Sequence, residues 1–127
     1  MSEEKLDLSV AVALYNEEES VPPLCEALDA VLSKLGKSYE ILLVDDGSKD
    51  RTWEALKAQA AKYRGVKLIR FRRNFGQTAA LAAGFDYARG EIVVTMDGDL
   101  QNDPTGISAI FAPTHLAWAT TKRCISP

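Results

Sequence analysis

The chain alternates short apolar runs with amphipathic stretches along most of its 127 residues. Leu6 to Leu14 (LDLSVAVAL) is apolar, short and flanked by polar residues, which predicts a buried strand. Val21, Leu24, Cys25, Leu28, Val31, Leu32 and Leu35 then recur at helical spacing. Ser20 stands at the N-cap of that helix, Pro22 and Pro23 fall in a first turn that tolerates proline, and Gly36 is placed to close it in a left-handed conformation. Tyr39 to Val44 (YEILLV) predicts a second strand, and Asp45-Asp46-Gly47-Ser48 a turn. A second helix, capped by Ser48 or Asp50, would turn Trp53, Leu56, Ala60 and Tyr63 inward. Val66 to Phe71 predicts a third strand and Gly76 to Ala88 an alanine-rich third helix stopped by Gly90. Glu91 to Met96 (EIVVTM) predicts a fourth strand that runs out at Asp97.

Apolar strands alternating with amphipathic helices imply an α/β fold: an open, mostly parallel sheet with helices on both faces. In such sheets ligands sit beyond the carboxyl ends of the strands. The residues that leave those ends are Tyr15-Asn16-Glu17, Asp45-Asp46-Gly47-Ser48, Arg72-Arg73-Asn74-Phe75-Gly76 and Asp97-Gly98-Asp99. Polar and charged groups therefore converge on one edge.

Composition narrows the classes. A formal net charge of -3 gives no reason to expect a nucleic-acid partner. Cys25 and Cys124 lie far apart, with neither zinc spacing nor a disulfide framework, and fit reduced thiols in the cytoplasm. The N-terminus MSEEKLDLS is the opposite of a secretory signal, and no window is apolar enough to span a membrane. His115, the single histidine, has no partner pattern.

Three of the four edge segments carry chemistry. Asp97 and Asp99 flank a glycine at a strand end and could aim oxygens at one hard cation, Mg2+ or Mn2+, or form a solvated turn. An EF-hand loop fails, because Asn102 and Ser108 stand where it needs glycine and glutamate. Asp45 or Asp46 could accept hydrogen bonds from a base or ribose, or be merely solvated. From Lys62 to Arg73 there are six Lys or Arg residues and no acid. Arg70, Arg72 and Arg73, with the helix N-terminus behind Asn74 and Gly76, could meet a diphosphate or an anionic surface, or form a solvated basic edge.

In order, VALYNEEES, EILLVDDGSKDRT, RNFGQTAALAAGF and VVTMDGDLQNDP resemble the family 2 glycosyltransferases of the GT-A fold, over about residues 8–104. The last two segments are similar to those of polyprenyl-phosphate sugar transferases such as the dolichol-phosphate mannose synthases. The resemblance implies a Rossmann-like nucleotide-binding half. It implies that a hexose moves, with inversion, from a UDP- or GDP-sugar to a lipid phosphate. It also assigns roles. Leu14, Tyr15, Glu17 and Asp45 or Asp46 would hold base and ribose. Arg73, Asn74 and Gly76 would lie near the nucleotide. Asp97, Gly98 and Asp99 would hold the metal on the diphosphate, with Gln101 close by. Asp97 and Asp99 would thus serve catalysis. Contact with the inner face of a membrane would follow from such an acceptor.

Two other classes fit less well. A phospho-receiver domain puts its Asp pair after the first strand, where Tyr15-Asn16-Glu17 stands here. A nicotinamide site would need G-x-G-x-x-G at that place. After Asp103-Pro104 the sequence TGISAIFAPTHLAWATTKRCISP is free of acids and does not resemble the family's continuation. The expectation is a nucleotide-binding part over residues 1–104 and an atypical tail over 105–127, from truncation or a shifted reading frame. A sheet ending at the fourth strand would then leave an edge uncovered, and transferase activity of this chain alone would be weak or absent.

Overall fold

The computed structural model describes residues 6–97 and the backbone of 123–125. Strands β1 (Leu6–Leu14), β2 (Tyr39–Asp45), β3 (Val66–Arg70), β4 (Gly90–Asp97) and β5 (Arg123–Ile125) alternate, up to β4, with helices α1 (Val21–Leu32), α2 (Thr52–Lys62) and α3 (Gln77–Tyr87). The strands form one sheet in the order β3-β2-β1-β4-β5, and every pairing is parallel. The chain steps outward from β1 to β3 and then crosses back to lay β4 on the other side of β1. That reversal places a crevice between β1 and β4 at their carboxyl ends.

Side-chain size along β1 explains how the two faces are covered. Leu8, Val10, Val12 and Leu14 point to one face, where they pack with Leu24, Leu28 and Leu32 of α1 and Leu56 of α2. Ser9, Ala11 and Ala13 alternate with them and are small because α3 lies close. Ala80 of α3 packs with Ala13 and Val44. A Cβ added to Gly84 would stand 2.7 Å from the Ala11 Cβ. The large face buries a conventional aliphatic core, and the small face lets a helix backbone approach the sheet.

Helix ends depart from the expected pattern. Ser20 makes no capping bond to α1; its hydroxyl turns back to Glu17 Oε1 at 3.3 Å. The helix ends at Leu32, and Gly36 takes its left-handed conformation (φ 69°) in the turn beyond. Asp50 does hold the start of α2, accepting from the Thr52 N–H at 2.9 Å and from the Thr52 hydroxyl, whereas Ser48 serves the site. Burial raises the Asp50 pKa, but these bonds outweigh it and leave the carboxyl below its ordinary value. Trp53, Ala60 and Tyr63 are only half-buried against the core that encloses Leu56.

The sheet also does not stop at the fourth strand. β5 pairs with β4, with Ile92 opposite Arg123 and Val94 opposite Ile125. A three-residue ladder is held by backbone hydrogen bonds and leaves no periodicity to read in the sequence. Residues 105–122 of the expected atypical tail, with Ile107, Ile110, Phe111, Leu116 and Trp118, lie outside the described residues. Cys25 is buried, and burial pushes its thiol pKa up to about 11, so it behaves as a small apolar core residue.

At the amino end of the sheet a buried carboxylate of β2 ties four strands together, β4 through the Ser9 hydroxyl. Glu40 Oε2 accepts from the Ser9 hydroxyl at 2.6 Å and from the Arg89 N–H at 2.7 Å. The Ser9 oxygen in turn accepts from the Gly90 N–H at 2.7 Å. Lys67 Nζ of β3 lies 2.9 Å from Glu40 Oε1 as an ion pair. Burial raises the Glu40 pKa, but these partners outweigh it and hold the carboxyl below its ordinary value. A lowered folded-state pKa means the stabilisation is full above the unfolded value, about 4.3. It is lost as pH falls through the folded value. Glu40→Gln is therefore expected to cost about 2 kcal/mol at pH 7 and less at pH ~3, read by urea unfolding at both pH values. An equal cost at both would show that Glu40 acts through shape and not through charge.

Candidate donor-nucleotide site

The register of the sheet sets the expected residues side by side. Leu14 ends β1 opposite Asp45 of β2, Asp45 lies opposite Arg70 of β3, and Ala13 lies opposite Asp97 at the end of β4. Tyr15 and Glu17 follow Leu14 directly. Arg73, Asn74 and Gly76 leave the same edge beyond β3. Asp97 is described through its backbone, and Gly98, Asp99 and Gln101 lie outside the described residues.

The loops after β1 and β2 are stitched together. The Asp46 N–H donates to the Leu14 carbonyl at 2.8 Å. Asn16 adopts a left-handed conformation (φ 55°), which asparagine tolerates better than most residues. Its N–H donates to the Ser48 hydroxyl at 2.9 Å, and its side-chain oxygen accepts from the Lys49 N–H at 2.8 Å. The Glu17 N–H donates to the buried Thr52 hydroxyl at 2.9 Å, and the Arg51 N–H to Glu18 Oε1 at 3.2 Å. Asn16, Glu18, Ser48 and Thr52 thus shape the site without having been singled out for it. The one signal was asparagine's tolerance of positive φ. These bonds leave the Tyr15 ring 39% exposed at the edge, able to stack on a flat ligand.

The two adjacent aspartates do different work. Asp46 is 2% exposed, and its carboxylate is fully engaged. It accepts from the Phe75 N–H at 2.8 Å, the Gly76 N–H at 3.0 Å and Asn74 Nδ2 at 3.0 Å; the same amide also reaches the Asp46 carbonyl at 3.1 Å. Gly76 is the N-cap residue of α3, so Asp46 supplies the negative charge that a helix start attracts. The N–H groups of Phe75 and Gly76 are consumed by this internal anion. Asp45 is buried too, but only its Oδ1 has a partner, the Ser48 N–H at 2.9 Å. Its Oδ2 is buried without a hydrogen bond among the described residues. Buried carboxylate oxygens are seldom left so.

Arg73 and Arg70 also have defined places. The Arg73 guanidinium lies 4.8 Å from the Phe75 ring centre, and that of Arg70 lies 5.0 Å from the Trp53 ring centre. Arg73 thus borders the nucleotide edge through its backbone, against Gly47, while its charge sits over an aromatic face.

Residues 9–124 match the sequence model of glycosyl transferase family 2. The chain belongs to this family. Among family 2 relatives, the dodecaprenyl-phosphate galacturonate synthase of Rhizobium johnstonii is 46% identical over 114 residues, which is 86% of this chain and 32% of that protein. The mannosyltransferase PcManGT from Pyrobaculum calidifontis, solved with GDP-Man and Mn2+, superposes with a TM-score of 0.65 at 25% identity, over 87% of this chain and 34% of that one. S. aureus TarS, solved with UDP-GlcNAc, superposes with a TM-score of 0.66 at 26% identity, over 74% of this chain and 27% of that one. The GT-A likeness agrees with the parallel sheet and its helices. The chain spans about a third of the length of the family 2 relatives it matches.

Proposed function

We propose that the chain is the donor-binding part of a transferase that moves a hexose from a UDP- or GDP-sugar to a polyprenyl phosphate with inversion. The observation that carries this is the buried, unpartnered Oδ2 of Asp45 at the carboxyl edge, between the strand ends of Leu14 and Arg70. There it accepts an N–H of the base or a ribose hydroxyl. Tyr15 stacks on the base, and Leu14 and Glu17 close the pocket around the ribose.

The residues at the end of β4 suit a divalent cation. Asp97, a hard-oxygen residue type, stands at the register position beside Ala13 at the end of β4, and Gly98-Asp99 follows in the chain. Among the described residues no group of three His, Cys, Asp or Glu could hold a metal alone. The donor's diphosphate would complete the set, with Gln101 close by in the sequence. Bound there, Mg2+ or Mn2+ would neutralise charge on the departing nucleoside diphosphate.

In the transfer, an oxygen of the acceptor phosphate attacks the anomeric carbon as the bond to the nucleoside diphosphate breaks, and the configuration inverts. The acceptor oxygen is already ionised near neutral pH. It needs positioning more than a base. Donor binding without transfer is supported by the same observations, because every group placed above serves the donor. Such a chemistry fits a protein that works at the cytoplasmic face of a membrane. Among the described residues no helix is long and apolar enough to cross one.

Calorimetric titration of UDP-glucose and GDP-mannose, with MnCl2 and with MgCl2, tests the assignment. Wild type is expected to bind one donor only with metal. Asp97→Ala/Asp99→Ala should abolish the metal-supported binding, and Asp45→Asn should weaken binding about tenfold while keeping it. Donor binding indifferent to metal and to both variants would sink the site. Turnover on a polyprenyl phosphate separates the transferase from a chain that only binds donor.

A further inference from the structure

We infer that the loop Arg70–Phe75 is a docking surface for an anionic lipid bilayer. The loop leaves β3, the outermost strand on that side, at the edge that carries the donor site. It walls an open depression of about 630 Å³ lined by Arg70, Phe71, Arg72, Arg73 and Phe75. Every lining residue is therefore an arginine or a phenylalanine.

The aromatic part of this surface is built rigidly. Phe75 is 55% exposed. Its backbone is anchored there, its N–H held by Asp46 at 2.8 Å and the next N–H by the same carboxylate at 3.0 Å. Its ring meets Phe71 edge-on at 5.6 Å, and the Arg73 guanidinium covers one face at 4.8 Å. Arg72 beside it is exposed. A fixed aromatic flanked by arginines matches the boundary between headgroups and acyl chains. The ring enters the apolar layer and the guanidinium groups meet lipid phosphates.

Charge placement favours a bilayer over a nucleic acid. Of the six basic residues from Lys62 to Arg73, Lys62, Arg64 and Lys67 lie before or near the other end of β3, and Lys67 is paired with Glu40. Three arginines remain at this corner, Arg70 over the Trp53 ring and Arg73 over the Phe75 ring. Three arginines at one corner track a nucleic-acid backbone poorly. Near an anionic membrane each arginine adds attraction to the surface, and the exposed ring adds to that. The inference deepens the reading of a lipid-borne acceptor, since this surface would bring the donor edge to the membrane that holds it.

Co-sedimentation with vesicles tests it, using the 127-residue chain. The vesicles are phosphatidylcholine alone, or phosphatidylcholine mixed with phosphatidylglycerol. Phe75 is not among the donor groups, so Phe75→Ser can be judged with donor affinity as the control of folding; Arg72 lines a cavity with Gly47 and Ser48, so Arg72→Glu is controlled by urea unfolding instead. The chain is expected on the anionic vesicles only, and released by added salt. Each variant should lower partitioning about tenfold, Phe75→Ser with donor affinity unchanged, while Arg72→Lys keeps it. Equal partitioning onto both vesicles, indifference to both variants, preference for single-stranded RNA or self-association through this surface would each overturn the proposal. Loss of donor binding in wild type with vesicle binding intact would overturn the donor site alone.

Discussion

Asp46→Ala is expected to lower stability by about 3 kcal/mol and to release the loop from Arg73 to Gly76. The carboxylate accepts from two backbone N–H groups and the Asn74 amide, and it is 2% exposed. Each hydrogen bond to a charged group contributes about 1.5–3 kcal/mol, and the carboxylate's own desolvation offsets part of the sum. Removing it also leaves the first N–H groups of α3 without an anion. Urea unfolding gives the energy, and amide exchange gives the place. Protection of the Phe75 and Gly76 N–H groups should fall further than that of the Glu40 network at the other end of the sheet. Asp46→Asn retains one acceptor but turns an NH2 toward donors, so it should recover less than half of the loss. Equal loss of protection across the whole sheet would show a general defect in place of a local anchor. Asp45→Asn should behave oppositely, with little change in stability and a direct effect on donor affinity.

That contrast marks how far the sequence can be read. The alternation of large residues at Leu8, Val10, Val12 and Leu14 with Ser9, Ala11 and Ala13 is visible in the string, and so is the convergence of strand ends on one edge. The division of labour between Asp45 and Asp46 is not, because the two residues are identical and adjacent. What separates them is a loop 28–30 residues further on, whose N–H groups reach one carboxylate and leave the other's Oδ2 unpartnered. The same long-range contact explains why the helix N-terminus behind Asn74 and Gly76, legible as an anion site, receives an anion of the chain itself. The bonds of Asn16, Ser48 and Thr52 were not legible for a related reason. Their bonds join loops 32–35 residues apart, a distance at which neither period nor local capping leaves a trace. β5 needed only backbone partners along β4, so no apolar pattern announced it.

Gly47→Ala should be the most damaging single methyl in the described part of the chain, costing about 4 kcal/mol or preventing folding. Gly47 has φ 72°, a conformation in which an L side chain costs about 1–2 kcal/mol by itself. The larger cost comes from contact. A Cβ there would stand 2.2 Å from the Arg73 carbonyl carbon, 2.4 Å from the Asn74 nitrogen and 2.6 Å from the Arg73 oxygen. These are backbone atoms and cannot swing aside as a side chain would. Gly36 is the control, because its φ is 69° but nothing lies within 4 Å of its added Cβ. Gly36→Ala should therefore show the conformational cost alone, about 1 kcal/mol, and the difference between the two alanines isolates the contact. For Gly47→Ala to fold, Arg73 and Asn74 must retreat, and their retreat pulls the Phe75 and Gly76 N–H groups off Asp46. The two substitutions then break one structure. The double variant Asp46→Ala/Gly47→Ala should lose less than the sum of the single losses, by at least about 1 kcal/mol. Strict additivity in urea unfolding would show that the glycine and the aspartate hold the loop independently.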